Sequence, residues 1–129
     1  MITIPLSLLT THFLADFVFQ SNWMAINKSK RLDALSLHVL IYSLCFLWLG
    51  WLFTGITFLT HFVTDFVTSR WTSRLWPFIK AHPDNKVDRF YYDVEGMGSK
   101  RSRHWFFVVI GFDQLIHFTT LALTYNWLF

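Results

Sequence analysis

The chain has 129 residues, the size of one domain, and is 53% hydrophobic, 20% aromatic and only 15% charged, where a soluble domain carries about 25% charged residues. A single cysteine, Cys45, excludes a disulfide framework. The net charge of +3 follows from membrane orientation and attraction to anionic lipid better than from nucleic-acid binding, so no nucleic-acid partner is expected.

Four apolar segments follow one another. The first runs from about Ile2 to Phe19 and begins without a basic n-region or a small-residue cleavage site, so it reads as a mature helix. The second runs from about Ala34 to Leu52, where Asp33 is placed to cap the start. The third, Ile56 to Trp71, is short and is expected to run on through Arg70 and Arg74, whose side chains can snorkel. The fourth runs from Trp105 to Trp127. A spanning helix needs roughly 20 residues. The expected fold is therefore all-α: a single integral membrane domain over residues 1–129, a four-helix transmembrane bundle with helices at about 2–22, 33–52, 55–75 and 104–128.

All eleven Lys and Arg fall in two stretches. Lys28, Lys30 and Arg31 separate the first two segments, and Arg70 to Arg103 holds the rest. With four crossings these stretches share one side, which the positive-inside rule makes cytoplasmic. Both termini and the Gly50–Gly55 turn then lie on the non-cytoplasmic side, with a cytoplasmic loop between helices 3 and 4. The tryptophans fit two interfacial belts, Trp23, Trp71, Trp76 and Trp105 at one and Trp48, Trp51 and Trp127 at the other. Within the loop, Pro77 predicts a bend, and the polar run from His82 to Arg103 has turn signals and is expected to cover the inner mouth of the bundle.

The segments carry unusual polar residues. THFLADFVFQSNW (Thr11 to Trp23) and THFVTDFVTSRW (Thr60 to Trp71) are near-copies about 49 residues apart, consistent with two helix hairpins in parallel repeat. DQLIHF (Asp113 to Phe118) is an inverted third copy. Each holds His and Asp four residues apart, on one helix face: His12 and Asp16, His61 and Asp65, Asp113 and His117. Because the fourth helix runs opposite to the first and third, all three pairs place His in an outer layer and Asp in an inner one. His38, on the second helix, falls near the depth of the aspartates. Such groups are costly in an apolar interior, and a bound cation would offset the cost.

The candidate metal ligands are thus His12, Asp16, His38, His61, Asp65, Asp113 and His117. Seven exceed what one tetrahedral zinc needs: either two ions bind, or some aspartates orient the imidazoles. Zinc fits this donor set best, with manganese or iron as alternatives. Asp16 and Asp65 are equally good candidates for a general base. Gln20 and Gln114 could bind a ligand, though such residues more often link helices. Lys28 and Arg70 could bind a phosphate, though headgroup contact or topology is the plainer role. A metal-free polar cluster or a proton relay competes with the metal reading. His82 and His104 read as surface histidines, and the Phe repeats as packing or lipid-facing surface.

HFLADFVFQSNWMAINKS, SLHVLIY, THFVTDF and GFDQLIHF together resemble a family of small bacterial and phage membrane proteins catalogued as a domain of unknown function. The shared pattern is H-x-x-x-D-F-x-x-Q, a following Lys, H-V, H-x-x-x-D and D-Q-x-x-H, and it spans most of the chain outside Thr72 to His104. The resemblance implies a multi-pass protein of the bacterial inner (cytoplasmic) membrane. HFVTDFVTSRW is also similar to the H-x-x-x-D-x-x-T segment of inner-membrane metal-dependent hydrolases, a likeness confined to His61, Asp65 and Thr68. Their early H-x-G-x-T-H-S element is absent here.

Three functions compete at this level. The first is a metal-dependent hydrolase of a lipid or lipid-linked phosphoester, its metal activating water. The second is a divalent-metal or proton pathway, which needs sites weak enough to release the ion and, with four short helices, a homo-oligomer for alternating access. The third is a non-catalytic membrane interaction protein stapled by a structural metal.

Overall fold

The computed structural model describes residues 3–80 and 100–129, with side chains described for 3–71 and 107–129. Pro5, extended at φ −62° and ψ 142°, precedes α1 (Leu6–Phe13). The helix then widens into a π-helical turn, Leu14–Val18, and stops. Ser21 is extended, and its hydroxyl accepts from the Met24 N–H at 3.3 Å, capping a separate short helix, α2 (Asn22–Asn27). The first helix is therefore shorter than the apolar run implies, because a side-chain cap three residues past the π turn starts a new helix.

α3 (Leu32–Leu44) has Arg31 rather than Asp33 at its N-cap position. Asp33 sits in the first turn, paired with Arg31 at 2.6 Å and accepting from the Ala34 N–H at 2.9 Å. α3 gives way to a 3₁₀ turn, Leu47–Leu49, and then to Gly50 at φ 97°, a left-handed backbone that disfavours any side chain. The turn ends in α4 (Trp51–Lys80), which continues through Pro77. The last helix is α5 (Lys100–Leu128). Of the run from His82 to Arg103 that is expected to cover the inner mouth, residues 82–99 lie outside the described ones, and the rest belongs to the start of α5.

Among the described residues all regular structure is helical. α4 packs against both α3 and α5, while α2 and the π turn pack against α3. The N-terminus is tied to the end of α5: the Thr3 N–H donates to Asn126 Oδ1 at 3.0 Å, and Asn126 Nδ2 donates to the Thr3 carbonyl at 2.8 Å. At the same end the rings of Phe46, Phe53 and Phe129 pack in sequence, tilted against one another, beside the Gly50 turn. Both described termini and the Gly50 turn thus share one end of the bundle.

Polarity is inverted relative to a soluble core. The buried residues include eleven apolar ones and twelve polar or charged ones, among them four histidines and two aspartates. Large apolar side chains cover the outside of every long helix, for example Leu59, Val63 and Val67 on α4 and Phe112, Leu115 and Leu123 on α5, all more than half exposed. Within α5, Phe107–Leu128 is long and apolar enough to cross a membrane, the one such stretch among the described residues. Leu6–Val18 and Leu32–Leu44 are apolar but shorter. α4 is lowered in mean hydropathy by an inward stripe of Thr54, Thr57, His61, Thr64, Asp65 and Thr68.

Candidate metal centre

Five elements each deliver part of a buried polar cluster. His12 comes from α1, Asp16 from the π turn, His38 and Tyr42 from α3, His61 and Asp65 from α4, and Asp113, Gln114 and His117 from α5. The i,i+4 spacing puts each pair on one face, and every His of the set is at most 2% exposed.

His12, His61 and His117 lie side by side, with ring centroids 6.0 Å apart for His12–His117 and 4.1 Å for His61–His117. His38 Nε2 reaches Asp16 Oδ1 at 3.1 Å and Asp65 Oδ2 at 3.3 Å. His38 Nε2 also lies 3.2 Å from His61 Nε2.

This geometry has too few protons. One imidazole N–H can satisfy one acceptor well, yet His38 Nε2 faces two carboxylate oxygens and a second imidazole nitrogen. Asp16 Oδ1 and His61 Nδ1 are buried without a hydrogen-bond partner, which is costly in an apolar surround. Asp16, His38 and His61 form one group positioned to hold a metal ion, and His61, Asp65 and His117 form a second. In the first, Asp16 Oδ1, His38 Nε2 and His61 Nε2 are separated by 3.1, 3.2 and 3.7 Å. Ligands of a tetrahedral zinc, with bonds of about 2.0–2.1 Å, lie roughly 3.3 Å apart.

Asp65 is engaged at both oxygens. Oδ1 meets His117 Nε2 at 3.0 Å, and Oδ2 accepts from Lys28 Nζ at 3.0 Å. Lys28 follows α2 directly and turns inward, its side chain 19% exposed. Burial alone would lower its pKa, but Asp65 and Asp16 outweigh that and hold the ammonium above its ordinary value.

Five of the seven candidate ligands thus meet in the two groups. His12 and Asp113 flank them: His12 Nε2 is 4.0 Å from Asp16, and Asp113 Oδ2 is 3.5 Å from His117. Gln114 joins α5 to α1 and the π turn by bonds to His12 and Asp16, each 2.8 Å. Gln20 is half-buried past the π turn. Arg70 lies over the Phe66 ring, 3.8 Å from its centroid. Tyr42 was not expected. Its hydroxyl lies 2.7 Å from His12 Nδ1, and its ring stacks on His61 at 3.7 Å. Its position four residues after His38, on the same face, was the available signal.

The chain belongs to the family described as protein of unknown function (DUF3307), which matches it over residues 4–129. The match runs through the Thr72–His104 stretch that the quoted motifs leave out. No curated protein and no solved structure matches the chain.

Proposed function

We propose that this protein is a multi-pass protein of the bacterial inner membrane, built around a single divalent metal ion, most readily zinc, that serves hydrolysis of a lipid or lipid-linked phosphoester. The carrying observation is the meeting of Asp16 Oδ1, His38 Nε2 and His61 Nε2 at zinc-ligand separations with too few protons among them. A single ion is favoured over two because both candidate groups draw on His61. Three protein ligands leave one position open, as catalytic sites do.

The inverted polarity supports the membrane reading. A surface of Leu, Val, Phe and Trp around a polar interior suits lipid rather than water. The shorter helices support a bundle in which α2 and the loops lie at the interface, and the membrane accommodates modest mismatch. Asp113 and Gln114, both half-buried on α5, face α1 across a seam closed by side-chain bonds, and a substrate entering sideways would reach the cluster there.

When bound, zinc would lower the pKa of a coordinated water and polarise a phosphoryl oxygen. The chain's own residues supply the rest. The buried Asp65–His117 pair, 3.0 Å apart, can take up the proton. Lys28, held at Asp65, offers the positive charge nearest the site to a phosphate. The hydrolytic use also draws on the resemblance of His61, Asp65 and Thr68 to the hydrolase segment. A through-pathway is less well supported, because Phe46, Phe53, Tyr42 and Leu121 pack a buried apolar cluster beside the site, towards the Gly50 end.

The test uses the full chain in lipid nanodiscs with one equivalent of zinc. Release of headgroup or phosphate from mixed phospholipid, lost in His61→Ala, is the expected result. Stoichiometric zinc that raises the melting temperature without any release would favour the structural staple, and zinc flux in liposomes would favour transport.

A further inference from the structure

The hydrogen bonds around Gln114 have only one consistent polarity. Its Nε2 faces two carboxylate oxygens, Asp16 Oδ2 at 2.8 Å and Asp113 Oδ2 at 3.4 Å. A flipped amide would set its oxygen against both. The amide nitrogen therefore donates to the carboxylates, and Oε1 is left to His12 Nε2 at 2.8 Å. Oε1 only accepts, so His12 carries its proton on Nε2. His12 Nδ1 is then the acceptor for the Tyr42 hydroxyl, 2.7 Å away.

From this chain we infer that His12, Gln114 and Tyr42 are positioning residues for the metal ligand Asp16, and that His12 is not itself a ligand; the inference rests on the metal reading above. The proton on His12 Nε2 removes that nitrogen from coordination, and Tyr42 occupies the other. Gln114 holds Asp16 by Oδ2, which turns Oδ1 towards His38 and His61. The π turn that carries Asp16 is thereby fixed across the seam to α5. This is the arrangement by which an outer hydrogen bond sets a ligand's orientation and basicity. The layer of three histidines is then unequal: His61 binds, while His12 orients through an amide.

Co²⁺ titration of the full-length protein in detergent, read by visible absorption, tests this. His61→Ala should lose the cobalt bands. His12→Ala and the near-isosteric Gln114→Glu should keep one equivalent and the same band positions, with affinity about 10–100-fold weaker. Tyr42→Phe, which keeps the ring on His61, should weaken binding less. Altered bands or lost stoichiometry in His12→Ala, with Gln114→Glu binding like wild type, would overturn the inference and leave the metal centre standing. Should His12→Ala not fold, Gln114→Glu decides alone. Wild type that takes no cobalt would sink the metal reading and this inference together. Nitrogen-15 shifts of His12 in metal-free protein should report the Nε2–H form, and an Nδ1–H form would also overturn the assignment.

Discussion

Lys28 shows how a residue's role depends on what its neighbours demand. In the sequence it belongs to a basic stretch, and topology or phosphate contact accounts for it. In the fold it meets Asp65 Oδ2 at 3.0 Å and, among the described residues, supplies the ammonium of the cluster. Removing one partner of a buried ion pair leaves the other charge uncompensated, at a cost of about 3–5 kcal/mol. Lys28→Met should lower the melting temperature of the metal-free protein markedly, with part of the loss restored by zinc; thermal denaturation with and without zinc measures both. An unchanged melting temperature would show that Lys28 does not hold Asp65. Arg70, by contrast, lies over Phe66, as its position near the end of an apolar run implies.

At the scale of elements, the His/Asp faces were legible because i,i+4 spacing fixes a shared face whatever the helix packs against. His38, expected near the aspartates, meets both Asp16 and Asp65. The helix ends were not legible in the same way. The apolar run continues to Phe19, so nothing in hydrophobicity marks the π turn at Leu14–Val18 or the stop before Ser21. Those depend on a cap and on packing against α3. The Gln114 bridge joins residues about a hundred positions apart, which periodicity does not encode. Ser21→Ala should cost about 1 kcal/mol through the lost cap and leave metal content unchanged. Chemical denaturation with parallel metal analysis checks this, and loss of metal would mean that α2 shapes the site directly.

For the whole molecule, polar groups inside and apolar groups outside make one consistent design. The inner stripe of α4, which lowers its mean hydropathy, is the same stripe that brings His61 and Asp65 to the centre. The polar residues that lower the apolar character of α4 are therefore the ones it contributes to the site. Orientation is tested by cysteine labelling in a Cys45→Ser background. Lys30→Cys and Lys86→Cys should react from the cytoplasmic side, and Thr3→Cys from the opposite side. Labelling of Lys30→Cys from outside would overturn the proposed orientation.

The central claim is a metal ion held by Asp16, His38 and His61. Elemental analysis of the detergent-purified protein, beside His38→Ala/His61→Ala and a His82→Ala control, tests it most directly. The account predicts near-stoichiometric zinc, or manganese or iron in its place, in wild type and His82→Ala and none in the double variant. Equal metal in all three proteins, or none in a folded wild type, would contradict it and leave a hydrogen-bonded polar core in place of a metal centre.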